Sequence, residues 1–215
     1  MIGTFARFDI INFVNPLRRV LPAILLVIAV AVAAPLPAFA IGAAAIVMSL
    51  LAGNPFAADE RGRLDTLYST LPIGRRTVVV GRYLALVALY FGVALAATLA
   101  AIVTTALAHQ PVDLAVLGAV NVGAFLVFAV AIAVQLPFFF SVGYTRARPM
   151  MFIPSGVLVA GTALAAQTGV LDHVDPLQVV SQNLAILLVA APTIAVAALV
   201  ASAVISSVRY SRRAL

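Results

Sequence analysis

The sequence predicts an all-α membrane protein of six transmembrane helices, and three observations carry that reading. Of 215 residues, 64% are hydrophobic and 9% are charged, against about 25% charged in a typical soluble domain. The apolar residues run continuously instead of alternating with period two, so they suit helices and not the strands of a membrane barrel. All thirteen basic residues are arginine, and they fall on one side of an even-numbered topology.

The elements follow in order. Residues 1–16 read as a helix lying in the membrane interface. Ile2, Phe5, Phe8, Ile10, Ile11, Phe13 and Val14 supply its apolar surface, and Thr4, Arg7, Asp9, Asn12 and Asn15 its polar one. Span one covers about 17–33, and Pro35 and Pro37 force a turn. Span two covers about 38–52. Asn54-Pro55 then provides a cap and a proline suited to the first helical turn, opening a polar helix that reaches Pro72. Span three runs from about 76 to 108, long enough to protrude from a bilayer. Span four covers about 112–139, span five 150–171 and span six 183–208. The whole of 1–215 forms one transmembrane domain.

The charges set the orientation. Arg7, Arg18 and Arg19 precede span one. Arg61, Arg63, Arg75, Arg76 and Arg82 are assigned between spans two and three, Arg146 and Arg148 between four and five, and Arg209, Arg212 and Arg213 after span six. The opposite loops carry Asp113, Asp172 and Asp175, with His109 and His173. A different span count would scatter the arginines over both faces, so both termini are expected in the cytoplasm. The net charge of +6 then needs no nucleic-acid partner. With no cysteine, disulfide and thiolate chemistry are excluded. The two histidines are far apart and read as solvated loop residues, so no metal site is expected.

Residues 55–72 carry the functional signal. Leu64, Leu67, Tyr68 and Leu71 form one apolar stripe at helical spacing. Asp59–Arg63 and Arg61–Asp65 are i,i+4 ion pairs. A passive link between adjacent spans needs only a few residues. A charged amphipathic helix here fits a coupling element that presents charge and shape to a soluble partner.

The run Phe56, Asp59-Glu60, Asp65, Ser69-Thr70-Leu71-Pro72-Ile73-Gly74-Arg75-Arg76, Val79 and Gly81-Arg82-Tyr83-Leu84 resembles the ABC-2 transporter permeases, with Gly74 where serine is common and Arg76 where lysine is frequent. A second stretch, Leu136-Pro137-Phe138-Phe139-Phe140-Ser141-Val142-Gly143-Tyr144-Thr145-Arg146-Ala147-Arg148, is similar to that family's run at the end of span four. The resemblance implies six helices, an interfacial N-terminal helix and a coupling helix between spans two and three. It also implies a dimer, with a second copy or a paralogue, bound to two ATP-hydrolysing subunits that hold ATP and Mg²⁺. Carried over, the ATPase contacts are Asp59, Glu60, Arg61, Arg63, Leu64, Asp65, Leu67 and Tyr68, flanked by Arg75 and Arg76. Charge reversal at Glu60 and Arg63 should weaken that contact. The chain lacks a GxxxxGK[ST] phosphate loop and any lysine, so the nucleotide chemistry belongs to the partner.

No charge is assigned to the membrane interior, which disfavours ion-coupled transport and intramembrane catalysis. No catalytic residue is expected. Asn121, Phe125, Phe128 and Gln135 are the candidates for a path taken by an amphipathic substrate such as a peptide, drug or lipid, although polar side chains in spans commonly bond to neighbouring helices. The sequence therefore reads as the permease subunit of an ABC exporter in a bacterial plasma membrane. The rival is a membrane anchor or channel that recruits a soluble protein through 56–72.

Overall fold

The computed structural model describes residues 3, 6, 7, 9–11, 22, 25–30, 37–62, 74–168 and 183–212. Among them there are helices and turns and no strand. The longer elements are α1 (Pro37–Leu51), α2 (Asn54–Gly62), α3 (Arg75–Leu107), α4 (Leu114–Val142), α5 (Tyr144–Ala147), a 3₁₀ turn (Arg148–Met151), α6 (Ile153–Gln167) and α7 (Leu184–Arg212).

Four helical stretches are long and apolar enough to cross a membrane: Ala38–Gly62, Arg75–Leu107, Leu114–Val142 and Leu184–Ser211. They correspond to predicted spans two, three, four and six. Predicted span one is described only at 22 and 25–30, which are helical, and the rest of it lies outside the described residues. Predicted span five contains α6, whose 15 residues rise about 22 Å, less than the roughly 30 Å of a bilayer core; its end beyond residue 168 lies outside the described residues.

Local chemistry sets the helix ends. Asp113 caps α4, its Oδ1 accepting from the backbone N–H of Ala115 (2.8 Å) and Val116 (3.2 Å). Pro137 does not end α4. The helix runs on to Gly143, whose φ of 82° and ψ of 173° are open essentially to glycine alone. α1 and α2 are joined by a turn at Ala52-Gly53. A Cβ on Gly53 would come within 2.8 Å of Met151 Sδ and 3.1 Å of Tyr144 Cε2, so the missing side chain lets this corner close against the 3₁₀ turn.

α1 and α7 each pack against both α3 and α4. The approach is close because the buried positions are small: Ala40, Ala44 and Ala45 on α1, and Ala191, Ala195, Ser202 and Ser206 on α7. α3 and α4 meet across the remaining diagonal through large rings, with Tyr90 stacked on Phe128 at 4.3 Å and Phe91 on Phe125 at 5.2 Å. The outward faces carry Leu95, Leu99, Val103, Val196, Val200 and Val204, all exposed, as a lipid-facing surface requires. One set of polar side chains inside the bundle bonds from helix to helix. Ser202 donates to the Ala133 carbonyl (2.7 Å), so its oxygen accepts from the Tyr83 hydroxyl (2.6 Å), which accepts from Ser206 (3.0 Å).

Candidate functional site

At the arginine-bearing end of the bundle, α2 is held by ring contacts and by an ion pair to its neighbours. Its first turn is apolar. Phe56 is buried, stacked on Phe139 (5.1 Å) and edge-on to Phe140 (4.9 Å). Its other neighbour is the Arg82 guanidinium, 4.6 Å above the ring. One turn on, Asp59 faces inward and Glu60 sits beside it. Asp59 Oδ2 accepts from Arg82 Nη1 at 2.6 Å. The Glu60 carboxylate accepts from the Thr145 backbone N–H (3.2 Å to each oxygen) and from Thr145 Oγ1 (2.6 Å). Thr145 lies in the first turn of α5, where backbone N–H groups lack helical partners and a carboxylate is favoured.

Arg82 lies two turns into α3 and is 1% exposed. Its Nε and Nη2 take the two oxygens of Asp9 at 2.9 and 3.0 Å. The arginine assigned from sequence to a loop is thus enclosed by protein in a helix, and Asp9, assigned to the headgroups, is buried against it. The physical reason is pairing. A guanidinium and two carboxylates with satisfied donors can leave water together, although none could do so alone. Arg75 closes the site from the far side. Its Nη1 donates to the carbonyls of Tyr210 (3.1 Å) and Ser211 (3.0 Å) at the end of α7, where a cation offsets the helix dipole. Between Asp59, Glu60, Arg82, Gly143, Tyr144 and Tyr210 lies a cavity of about 20 Å³, room for one water molecule.

Of the predicted partner contacts, Asp59 is therefore inside the site. Glu60, Arg61, Arg75 and Arg76 are exposed. Arg63, Leu64, Asp65, Leu67 and Tyr68 lie outside the described residues. The predicted substrate residues lie on the inner side of α4. Asn121 accepts from Thr98 Oγ1 across to α3 (3.1 Å) and donates to the Leu117 carbonyl (2.9 Å). Phe125 packs against Tyr90 and Phe91, Phe128 is fully buried, and Gln135 is fully buried and donates to the Met151 carbonyl (3.2 Å). A separate apolar groove of about 370 Å³ runs between α1, α4 and α6, lined by Ile46, Val127, Val130, Val134 and Val157 among others; Asn121, Phe125, Phe128 and Gln135 are not part of its lining. Among the described residues no cluster of side chains could hold a metal ion.

Sequence reasoning missed the Arg82–Asp9 pair and the Tyr83–Ser202–Ser206 network. The available signal was chemical: a lone acid in an apolar leader and a lone arginine two turns into a span each need a partner.

No similar curated protein and no similar solved structure is found for the chain. A model of the ABC-2 family transporter proteins matches residues 9–211, from the acid that pairs with Arg82 to the last helix clasped by Arg75, and the chain belongs to that family of multi-pass membrane transport components.

Proposed function

We propose that the chain is the permease subunit of an ATP-driven exporter, working with separate ABC ATPase subunits that bind ATP and Mg²⁺. Two permeases, identical or paralogous, make the transmembrane unit in a bacterial plasma membrane. The segments at 17–33 and 150–171 complete six spans, with both termini in the cytoplasm. The helix beginning at α2 and continuing to residue 72 is the coupling helix.

The observation that carries this reading is the way α2 is held. Phe56 grips α4, Asp59 grips α3 through Arg82, and Glu60 grips α5, all within five residues. A helix so fastened moves the ends of several spans when a partner displaces it. Its exposed Arg61, together with Arg75, Arg76 and the segment Arg63, Leu64, Asp65, Leu67 and Tyr68, forms the contact surface, with Asp59 as its internal anchor and Glu60 shared between contact and anchor. The substrate is amphipathic: a peptide, drug or lipid. A path along Asn121, Phe125, Phe128 and Gln135 requires α3 and α4 to part, because Phe128 and Gln135 are enclosed.

The test is purification of the tagged chain in mild detergent from its native cell. An ABC-type ATPase at about one copy per permease is expected, the stoichiometry of two spans-bearing and two nucleotide-binding subunits. Glu60 is a poor target for charge reversal, since it also holds Thr145. The cleaner variant is Arg61→Glu with Arg76→Glu, which should recover less ATPase while the permease stays intact. Recovery of the permease with no nucleotide-binding partner would move the weight to the anchor or channel reading.

A further inference from the structure

Arg82 is the most enclosed charge in the described part of the chain, and its geometry is unusual in one respect. A guanidinium is a rigid planar fork whose donors leave in fixed directions. Here one edge, Nε and Nη2, is used up by both oxygens of Asp9, at 2.9 and 3.0 Å. The remaining arm, Nη1, reaches Asp59 at 2.6 Å. The plane itself rests on the Phe56 ring at 4.6 Å. Three pieces of chain therefore meet at one group: the helical residues around Asp9, α2 through Asp59 and Phe56, and α3, which carries Arg82. Rotating the guanidinium to follow one acid breaks its bonds to the other. Each broken bond leaves a buried charge short of its partner, a state the low-dielectric interior disfavours strongly.

We propose that Arg82 is a positioning residue that makes α2 and the N-terminal segment around Asp9 move as one body. Displacement of α2 by a soluble partner is then passed through the guanidinium to the N-terminal segment as well as to α3. The Glu60–Thr145 bonds send the same displacement toward the α4–α5 corner by a separate route. The joint rests on the reading of α2 as the partner-contacting helix.

Asp9→Asn is the discriminating variant. It keeps the shape of the side chain and leaves Arg82 ion-paired with Asp59. The assay is hydrogen exchange, read by mass spectrometry on the permease–ATPase complex with and without a non-hydrolysable ATP analogue. In the natural sequence, nucleotide should change the exchange of peptides covering both 54–62 and 3–11. In Asp9→Asn the 54–62 response should persist, while the 3–11 response falls by about tenfold, the size of an ordinary coupling between two sites. Arg82→Lys, whose single ammonium cannot hold both acids in the same geometry, should lose the 3–11 response in the same way and stands in if Asp9→Asn lowers recovery of the complex. A 3–11 response that survives in these variants overturns the joint. A natural complex in which nucleotide leaves 54–62 unchanged overturns instead the reading of α2 as the contacting helix.

Discussion

Removing the aromatic ring of Phe56 tests how α2 is fastened to the bundle. Phe56 is 6% exposed, and it makes three contacts that an aliphatic side chain of similar bulk cannot make. These are the stack on Phe139, the edge contact with Phe140 and the face offered to Arg82. Aromatic pairs contribute about 0.5–1.5 kcal/mol each beyond area, and a cation over a ring from about 0.5 to 2 kcal/mol. Phe56→Leu keeps most of the buried area, so it should cost about 2 kcal/mol. Phe56→Ala adds a cavity and should cost about 3–5 kcal/mol. The measurement is reversible unfolding in mixed micelles of mild detergent and dodecyl sulfate, run as a double-mutant cycle with Phe139→Leu. The cycle should return a coupling of about 0.5–1.5 kcal/mol for the ring pair. If Phe56→Leu lies within about 0.5 kcal/mol of the natural protein and the cycle shows no coupling, α2 is held by something other than this ring, and the three-point grip is wrong.

Two further substitutions probe the bundle itself. Tyr83→Phe removes the hydroxyl that links α3 to Ser202 and Ser206 of α7; interhelical bonds of this kind average about 0.6 kcal/mol and reach about 1.7, so a loss of about 1–2 kcal/mol is expected in the same unfolding assay. Gly143→Ala places a Cβ at φ 82° and ψ 173°, a strain of about 1–3 kcal/mol, and it should raise hydrogen exchange across 143–147 while leaving α3 unchanged.

The helices were legible because a bilayer imposes its requirement on some twenty residues at once, and no single side chain has to be read correctly. Spans 76–108, 112–139 and 183–208 stand as helices 75–107, 114–142 and 184–212. The three-residue difference at the end of α4 has a local cause. Pro137 removes one backbone bond without ending the helix, which stops at the glycine-only backbone of Gly143. Contacts between helices were not legible, for the converse reason. Most positions in these helices are alanine, leucine or valine, and any of several faces would pack about equally well, so register has to come from the few polar residues. Read that way, those residues held more than their sequence context disclosed. Asn121 joins α4 to α3 and Gln135 joins it to the 3₁₀ turn. Arg82 was counted as one more arginine beside the spans. Counting, however, treats charges as independent. Asp9 and Arg82 are 73 residues apart, and only their shared burial shows that each is the condition for the other's place. A lone ionisable residue next to an apolar run therefore poses a pairing problem before it marks a side of the membrane, and Asp9, the one acid in the first fifty-eight residues, was the residue that posed it.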